Sequence, residues 1–321
     1  MNDYGFFGPG SPTWKVWGYP TSATIGFQRS VVIEELDPFL IAAVDATNKV
    51  RYEPRRRYDR TLRYFATVAF GDTLSALKAA EILVKVHANA VGIEPISGLP
   101  YDANAPESQL WIHLTAWHSI LYAYEAFGPG PLSAADEARY WEECAIAAEL
   151  QTCPREDVPL TRDGIRAYFA SMRPRLAASE TAQAMMDHLL NAEVMFPPLP
   201  RAARPGALVV NQVLRMGTIA TMPHWMRRMS GFRQPKAVDT AIRPVLTANF
   251  RAANATTAGK LAMIKLISPS TLEVVEPALR GVAPAHKHTL TPAEARERHG
   301  FLTPTEQYAQ LRERRPLKVA A

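Results

Sequence analysis

Residues 72–91, DTLSALKAAEILVKVHANAV, carry the clearest structural signal in the chain. Asp72 is a suitable N-cap and Gly92 a suitable stop, so the stretch predicts one α-helix. Because an apolar stripe on a helix faces the protein interior, we expect the His87 imidazole to point inward. The stripe repeats at spacings of three and four residues and consists of Leu77, Ala80, Val84, His87 and Val91.

Residues 106–127, PESQLWIHLTAWHSILYAYEAF, predict a second helix of a different kind. Between Ser108 and Tyr124 this stretch contains no Asp, Glu, Lys or Arg. A helix without a charged face should be buried on nearly every side. Its Trp, His, Thr and Ser side chains are too polar for lipid, so we expect it to form the wall of an internal cavity, with His113 facing the interior.

Helical patterns cover most of the remaining chain and alternating strand patterns are nearly absent, so the predicted fold class is all-α, a compact multi-helix globular fold. The Pro- and Gly-rich joints are short, which favours a single unit over residues 1–321 with a looser joint near 196–206. Further helices are predicted over 31–46, 57–69, 134–150, 161–172, 181–191, 209–229, 239–250, 257–267, 292–298 and 304–315.

The charge balance and the cysteine content bear on partners and location. The 36 basic and 31 acidic residues give a net charge of +5, a surplus that does not demand nucleic acid. The N-terminus lacks the pattern of a secretory signal, and no stretch approaches the ~20 apolar residues of a spanning helix. Cys144 and Cys153 cannot form a disulfide framework, so we expect a reducing, cytoplasmic location.

Histidine is the main candidate for chemistry, because the familiar catalytic signatures are absent. No Glu lies three residues before a His, the pair that a di-iron carboxylate centre would use. His87 is therefore either a structural residue bonded to a nearby carbonyl or a metal ligand. Arginines on the preceding helix could pair with carboxylate groups of a bound ligand, because guanidinium groups bind carboxylates well. The alternative is that they form the solvated face of a basic helix. The arginines that crowd the start of the preceding helix are Arg55, Arg56, Arg57, Arg60 and Arg63.

A series of short motifs runs in order through roughly residues 8–200. They are Gly8-Pro9-Gly10-Ser11, Trp14, Asp37-Pro38, Arg57-Tyr58-Asp59-Arg60-Thr61, Gly71, Val86-His87-Ala88, Val91-Gly92, Trp111-Ile112-His113, Pro131-Leu132-Ser133 and Tyr140-Trp141-Glu142-Glu143. Each is individually weak, but their order and spacing together resemble the MpaB-type oxygenase family. That family includes the fungal MpaB enzymes and the bacterial rubber oxygenases, or latex-clearing proteins.

The resemblance implies an all-helical fold around a buried haem b. The chain has no Cys-x-x-Cys-His, so the haem would be held without covalent bonds. By position His87 matches the proximal iron ligand, and Arg57 is expected to anchor a haem propionate. His113 is a further candidate for cofactor binding, through a propionate or the cavity wall, with a structural hydrogen bond as the alternative.

Rubber oxygenases carry an Arg-x-x-Lys-Thr motif that serves the distal side of the haem. Here Arg57 to Thr61 match the motif with Arg60 in place of the lysine. Arginine stays protonated and is a poor iron ligand, so we expect an open or water-filled sixth position. Arg60 and Thr61 are the expected catalytic residues, Arg60 as a donor to charge developing on oxygen. This departure weakens any direct transfer of rubber-cleaving activity.

The function predicted from the sequence is haem-dependent oxygenation of an apolar substrate with O₂. The substrate would be a small molecule or an extended, unsaturated or isoprenoid-like chain. The alternatives are a haem- or lipid-binding helical carrier without turnover, and a haem hydroxylase or dehydrogenase. The sequence leaves the oligomeric state open.

Overall fold

The computed structural model describes residues 1–47, 52–191, 194–197 and 200–314. Across these ranges the fold is all-α, as predicted, with sixteen α-helices and one short hairpin. The helices are α1 Pro12–Trp17, α2 Phe27–Glu34, α3 Pro38–Thr47, α4 Pro54–Phe70, α5 Thr73–His87, α6 Pro106–Phe127, α7 Ala134–Ala148, α8 Arg162–Met172, α9 Glu180–Leu189, α10 Arg204–Thr221, α11 His224–Met229, α12 Lys236–Asn254, α13 Thr257–Ile267, α14 Pro269–Leu279, α15 Pro292–His299 and α16 Pro304–Arg314.

Helix α6 lies at the centre of the molecule. Fourteen of its 22 residues are buried, which confirms the prediction from its missing charges. A π-helical turn at Ser22–Gly26 packs against it, and a Cβ atom at Gly26 would lie 3.1 Å from the Ile120 Cα. The glycine therefore permits a close approach of the two backbones. Trp111 of α6 belongs to a smaller core cluster with α2, α3 and α9, whereas Trp117 belongs to the main core.

The helix predicted over 72–91 ends four residues early, at His87. Strands β1 Val91–Ile93 and β2 Pro100–Asp102 follow as an antiparallel hairpin. Asn104 caps the C-terminal end of the helix, because its side-chain amide donates to the Val84 carbonyl at 3.0 Å. Its backbone is fixed in turn by the Thr152 hydroxyl, which donates to the Asn104 carbonyl at 2.7 Å. These distant contacts end the helix before the local pattern does.

Other boundaries differ where a proline intervenes. The stretch predicted as one helix over 31–46 is two helices, α2 and α3, with Pro38 at the start of the second. The stretch predicted over 209–229 divides at Pro223 into α10 and α11. Helices α1 and α14 and the π-helical turn were not predicted. The looser joint predicted near 196–206 lies partly outside the described residues. Arg315, the last residue of the helix predicted over 304–315, lies outside them. None of the helices that the structure describes is long and apolar enough to cross a membrane.

Candidate functional site

His87 is the last residue of α5, one turn beyond Val84. The stripe residues Leu77, Ala80 and Val84 are buried as predicted, and His87 is half-buried at the end of the stripe. Its Nδ1 atom lies 3.0 Å from the side-chain nitrogen of Gln109 on α6. Among the described residues no hydrogen bond engages the other ring nitrogen, Nε2. The Nδ1 atom of His87 is thus held by a hydrogen bond within the protein, whereas Nε2 has no hydrogen-bond partner among the described residues.

The orientation of the Gln109 amide determines the tautomer of His87. The Gln109 nitrogen also donates a short hydrogen bond to the Ala103 carbonyl, so the atom facing His87 must be nitrogen and not oxygen. In a neutral His87 the Nδ1 atom is then the acceptor, and the ring proton is on Nε2. A ligand that bonds to Nε2 must displace this proton.

The electrostatic environment keeps His87 neutral. Burial and the positive charge of Arg57 lower the pKa of His87 to about 4, and the carboxylate of Asp102 opposes this shift. The imidazole is therefore uncharged at neutral pH. The neutral form is the one that binds metals.

Arg57 is on the first turn of α4 and is the one residue of the Arg57–Thr61 segment whose charge reaches His87. Its side chain is exposed, and within the described structure no hydrogen bond or ion pair engages its guanidinium. The same charge acts on two carboxyl groups at the end of α2, Glu34 and Glu35, whose pKa values are raised by burial, a shift that Arg57 partly offsets. The positive charge of Arg57 therefore acts on the imidazole of His87 and on the carboxyl groups of Glu34 and Glu35.

Arg60 and Thr61 are placed differently from Arg57. The Arg60 side chain is exposed, and among the described residues no hydrogen bond or ion pair joins it to His87. The Thr61 hydroxyl donates to the Arg57 carbonyl at 2.9 Å, a bond within the helix that leaves it no donor for another group. The charge of Arg57 thus acts on His87, whereas no hydrogen bond or ion pair among the described residues joins Arg60 or Thr61 to His87.

Glu34 and Glu35 are the site residues that the sequence did not reveal. Burial raises the pKa of Glu34 to about 7. Burial and the neighbouring Glu34 raise the pKa of Glu35 to about 8. Glu34 accepts a hydrogen bond from the Ser30 hydroxyl at 2.7 Å, but the Oε2 atom of the buried Glu35 has no hydrogen-bond partner among the residues that the structure describes. The sequence signal, two adjacent acids before the apolar Leu36, is too weak to have identified them.

Asp59 fixes the position of the helix that carries Arg57. Its carboxylate accepts a hydrogen bond of 2.6 Å from the Ser268 hydroxyl and one of 3.3 Å from the Ser270 backbone amide. These groups lie at the start of α14, whose own N-cap residue provides no side-chain cap. Asp59 therefore caps α14 from a neighbouring helix.

The C-terminal helix α16 packs beside the turn that follows His87. The Tyr308 hydroxyl donates a short hydrogen bond to Asp102, the carboxylate that acts on the pKa of His87. The Gln307 side chain donates to the Glu81 carbonyl of α5 at 3.0 Å. Helix α16 thus holds both α5 and the hairpin.

His113 is fully buried and both of its nitrogens are used within the protein. Its Nε2 atom lies 2.8 Å from the Cys144 carbonyl and its Nδ1 atom 2.8 Å from the Gln151 side-chain nitrogen. The carbonyl can only accept, so Nε2 donates to it and Nδ1 accepts from Gln151. This arrangement favours the structural role of His113 over cofactor binding, because no ring nitrogen remains for a ligand.

In the described ranges no three His, Cys, Asp or Glu side chains are grouped to hold a metal ion. The chain does match one family model. Residues 14–258 match the catalytic domain of ER-bound oxygenase mpaB/B′ and rubber oxygenase. The chain belongs to this family. Comparisons with characterised proteins and with solved structures find no match.

Membership of the MpaB and rubber oxygenase family identifies residues 14–258 as an oxygenase-type catalytic domain. His87, Gln109, Arg57 and the two glutamates all lie within the matched residues. Helices α14 and α16 lie beyond them, yet they hold Asp59 and the hairpin that follows His87. Residues outside the matched domain therefore support the helices that carry the candidate site.

Proposed function

We propose that this protein is a haem b-dependent oxygenase that uses O₂ to oxidise an apolar substrate, with His87 as the protein ligand of the iron. The observation that carries the proposal is the state of His87. It is neutral at physiological pH, with one nitrogen fixed by Gln109 and the other without a described partner, beside the cation of Arg57.

The residues around His87 fit a haem group. A haem iron needs a single proximal histidine from the protein, so the absence of a three-residue metal cluster among the described residues is compatible with it. Arg57 offers an unengaged guanidinium of the kind that pairs with a propionate. Among the described residues the buried Oε2 atom of Glu35 has no hydrogen-bond partner, which supports a further polar contact with a bound group at this site. When bound, the haem would supply the redox chemistry of oxygen activation.

The chain's own residues prepare the site by moving protons. For Nε2 to bond to a metal while the ring stays neutral, the ring proton of His87 must move from Nε2 to Nδ1. In that tautomer Nδ1 carries the proton and is a donor, so the Gln109 amide must turn its oxygen toward the ring to accept it. Gln109 then gives up its hydrogen bond to the Ala103 carbonyl. Glu35, with a pKa of about 8, is mostly protonated at neutral pH and so adds no full negative charge beside Arg57. Arg60 and Thr61 remain proposed distal residues on the resemblance alone.

The substrate class follows from the family description, which includes rubber oxygenase, an enzyme named for an unsaturated isoprenoid polymer. We propose an apolar, unsaturated or isoprenoid-like substrate. O₂ uptake by the haem-loaded protein should depend on an added isoprenoid substrate. A protein that holds haem but shows no such uptake would be a carrier, and one that hydroxylates the substrate without cleaving a double bond would be a hydroxylase.

A further inference from the structure

The first half of α10 is exposed to solvent along most of its length. None of the residues from Arg204 to Val213 is buried, and Leu214 is the first buried residue of the helix. Three consecutive aliphatic residues lie in this half, and they are 64%, 63% and 45% exposed at Leu208, Val209 and Val210. Consecutive helical residues are separated by about 100°, so the three side chains present apolar surface around more than half of the helix.

The same part of the chain is strongly basic. Between Val194 and Val238 there are seven Lys and Arg residues and no Asp or Glu. The positive charge of this stretch therefore exceeds the net charge of the whole protein, which is +5. Two of the cations are engaged by acids from outside the stretch, Arg215 by Asp187 and Arg227 by Asp239. The other five are exposed, namely Arg201, Arg204, Arg228, Arg233 and Lys236.

Three of the exposed cations, Arg201, Arg204 and Arg233, lie next to the apolar tip or on a loop that packs against the same helix. Arg201 and Arg204 precede it directly, at the start of α10. The loop that carries Arg233 packs beside the middle of the same helix, where the Gln234 side chain donates to the Met216 carbonyl at 2.9 Å. The ring of Phe232 lies under the Arg215 guanidinium, 5.9 Å away. The exposed first half of α10, together with Arg201, Arg204 and Arg233, is called the docking surface.

We propose that the docking surface binds the surface of a bilayer containing anionic phospholipids, with the aliphatic tip in the headgroup region and the arginines on the lipid phosphates. Aliphatic residues flanked by Arg and Lys are the combination that binds such interfaces. A second copy of the chain is a poorer occupant, because symmetric pairing would bring two sets of exposed cations together. This inference does not depend on the proposed haem chemistry.

The test is cosedimentation of the purified full chain with two kinds of vesicle, phosphatidylcholine alone and phosphatidylcholine mixed with phosphatidylglycerol. We expect binding to the mixed vesicles that weakens as salt is added. Arg201→Gln with Arg204→Gln should lower the partition coefficient by roughly 30-fold (about 2 kcal/mol). Leu208→Gln with Val209→Gln should lower it by roughly tenfold. All four side chains are exposed, and circular dichroism verifies folding.

The control variants change the same charge and polarity elsewhere. Lys78→Gln with Lys265→Gln removes two exposed cations, and Val282→Gln removes an aliphatic side chain that is 54% exposed. These controls should bind like the wild type. Absence of binding to the mixed vesicles would overturn the proposal, as would equal losses in the control and docking-surface variants. So would a concentration-dependent dimer in sedimentation velocity that the docking-surface variants abolish while vesicle binding is unchanged.

Discussion

At the scale of single residues, Gln109 has a specific role to test. It holds the Nδ1 atom of His87 from α6, so its removal should leave the imidazole free to rotate. Hydrogen-bond partners of metal-ligating histidines typically contribute 10- to 100-fold to metal affinity. We expect Gln109→Leu to weaken haem binding by about that factor, measured by titrating the apo-protein with haemin. Gln151→Leu, which affects His113 instead, should leave haem affinity within a few-fold of wild type. Equal affinity in wild type and Gln109→Leu would exclude the positioning role.

The pKa of His87 distinguishes the role of Arg57 from that of Arg60. The charge of Arg57 helps to hold that pKa at about 4, so Arg57→Gln should raise it toward the ordinary value near 6.5. Arg60→Gln, a change of the same charge at an exposed neighbour, should have little effect. NMR titration of the His87 ring protons in the haem-free protein measures both. If the two variants shift the pKa equally, Arg60 faces the site as the rubber oxygenase motif implies.

At the scale of elements, the contact between Asp59 and α14 is predicted to stabilise the position of α4. Asp59→Ala removes the acceptor for both Ser268 and Ser270. Loss of a helix cap costs about 1–2 kcal/mol, and we expect that decrease in the free energy of unfolding, measured by urea denaturation. Arg56→Ala, on the same turn but in an exposed pair with Glu53, should change it by less than about 0.5 kcal/mol. Equal effects of the two substitutions would contradict the capping role.

The elements also show what the sequence can and cannot predict. The helices around His87 and along α6 follow from local spacing and from the absence of charge, and both were predicted. The end of α5 was not, because Asn104 and Thr152, 20 and 68 residues away from Val84 along the chain, set it. Helix α14 was missed because its cap is supplied by Asp59, about 210 residues earlier. The buried Glu34 and Glu35 were missed because their environment is created by tertiary packing and not by their neighbours in sequence.

At the scale of the whole molecule, buried titratable groups make stability depend on pH in two opposite ways. The folded-state pKa values of His87 and His113, both about 4, lie below the ordinary value. The unfolded chain therefore binds more protons between about pH 4 and 6.5, and these histidines cost stability as the pH falls through that range. The raised pKa values of Glu34 and Glu35 act in reverse, and their contribution is lost as the pH rises from about 4.5 to 8.

Glu35→Gln isolates the alkaline part of this dependence. The variant cannot ionise at position 35, so its stability relative to wild type should increase as the pH rises from about 5 to 8. The slope for one proton is at most ~1.4 kcal/mol per pH unit. Thermal unfolding across that range gives the difference. Glu53→Gln, at an exposed position, should show no such slope. A difference between Glu35→Gln and wild type that is constant with pH would mean that Glu35 is ionised in the folded protein.

The central claim, that this member of the oxygenase family holds haem b through His87, is tested most directly by one absorption measurement on purified, haemin-loaded protein. Wild type should show a Soret band and the pyridine haemochrome spectrum of haem b, with the pigment released by acid–acetone. His87→Ala should lose the band while its far-ultraviolet circular dichroism is retained, because alanine is tolerated at the end of α5. A colourless wild type that also fails to bind added haemin would contradict the claim. A His87→Ala variant with an unchanged spectrum would contradict the assignment of the ligand.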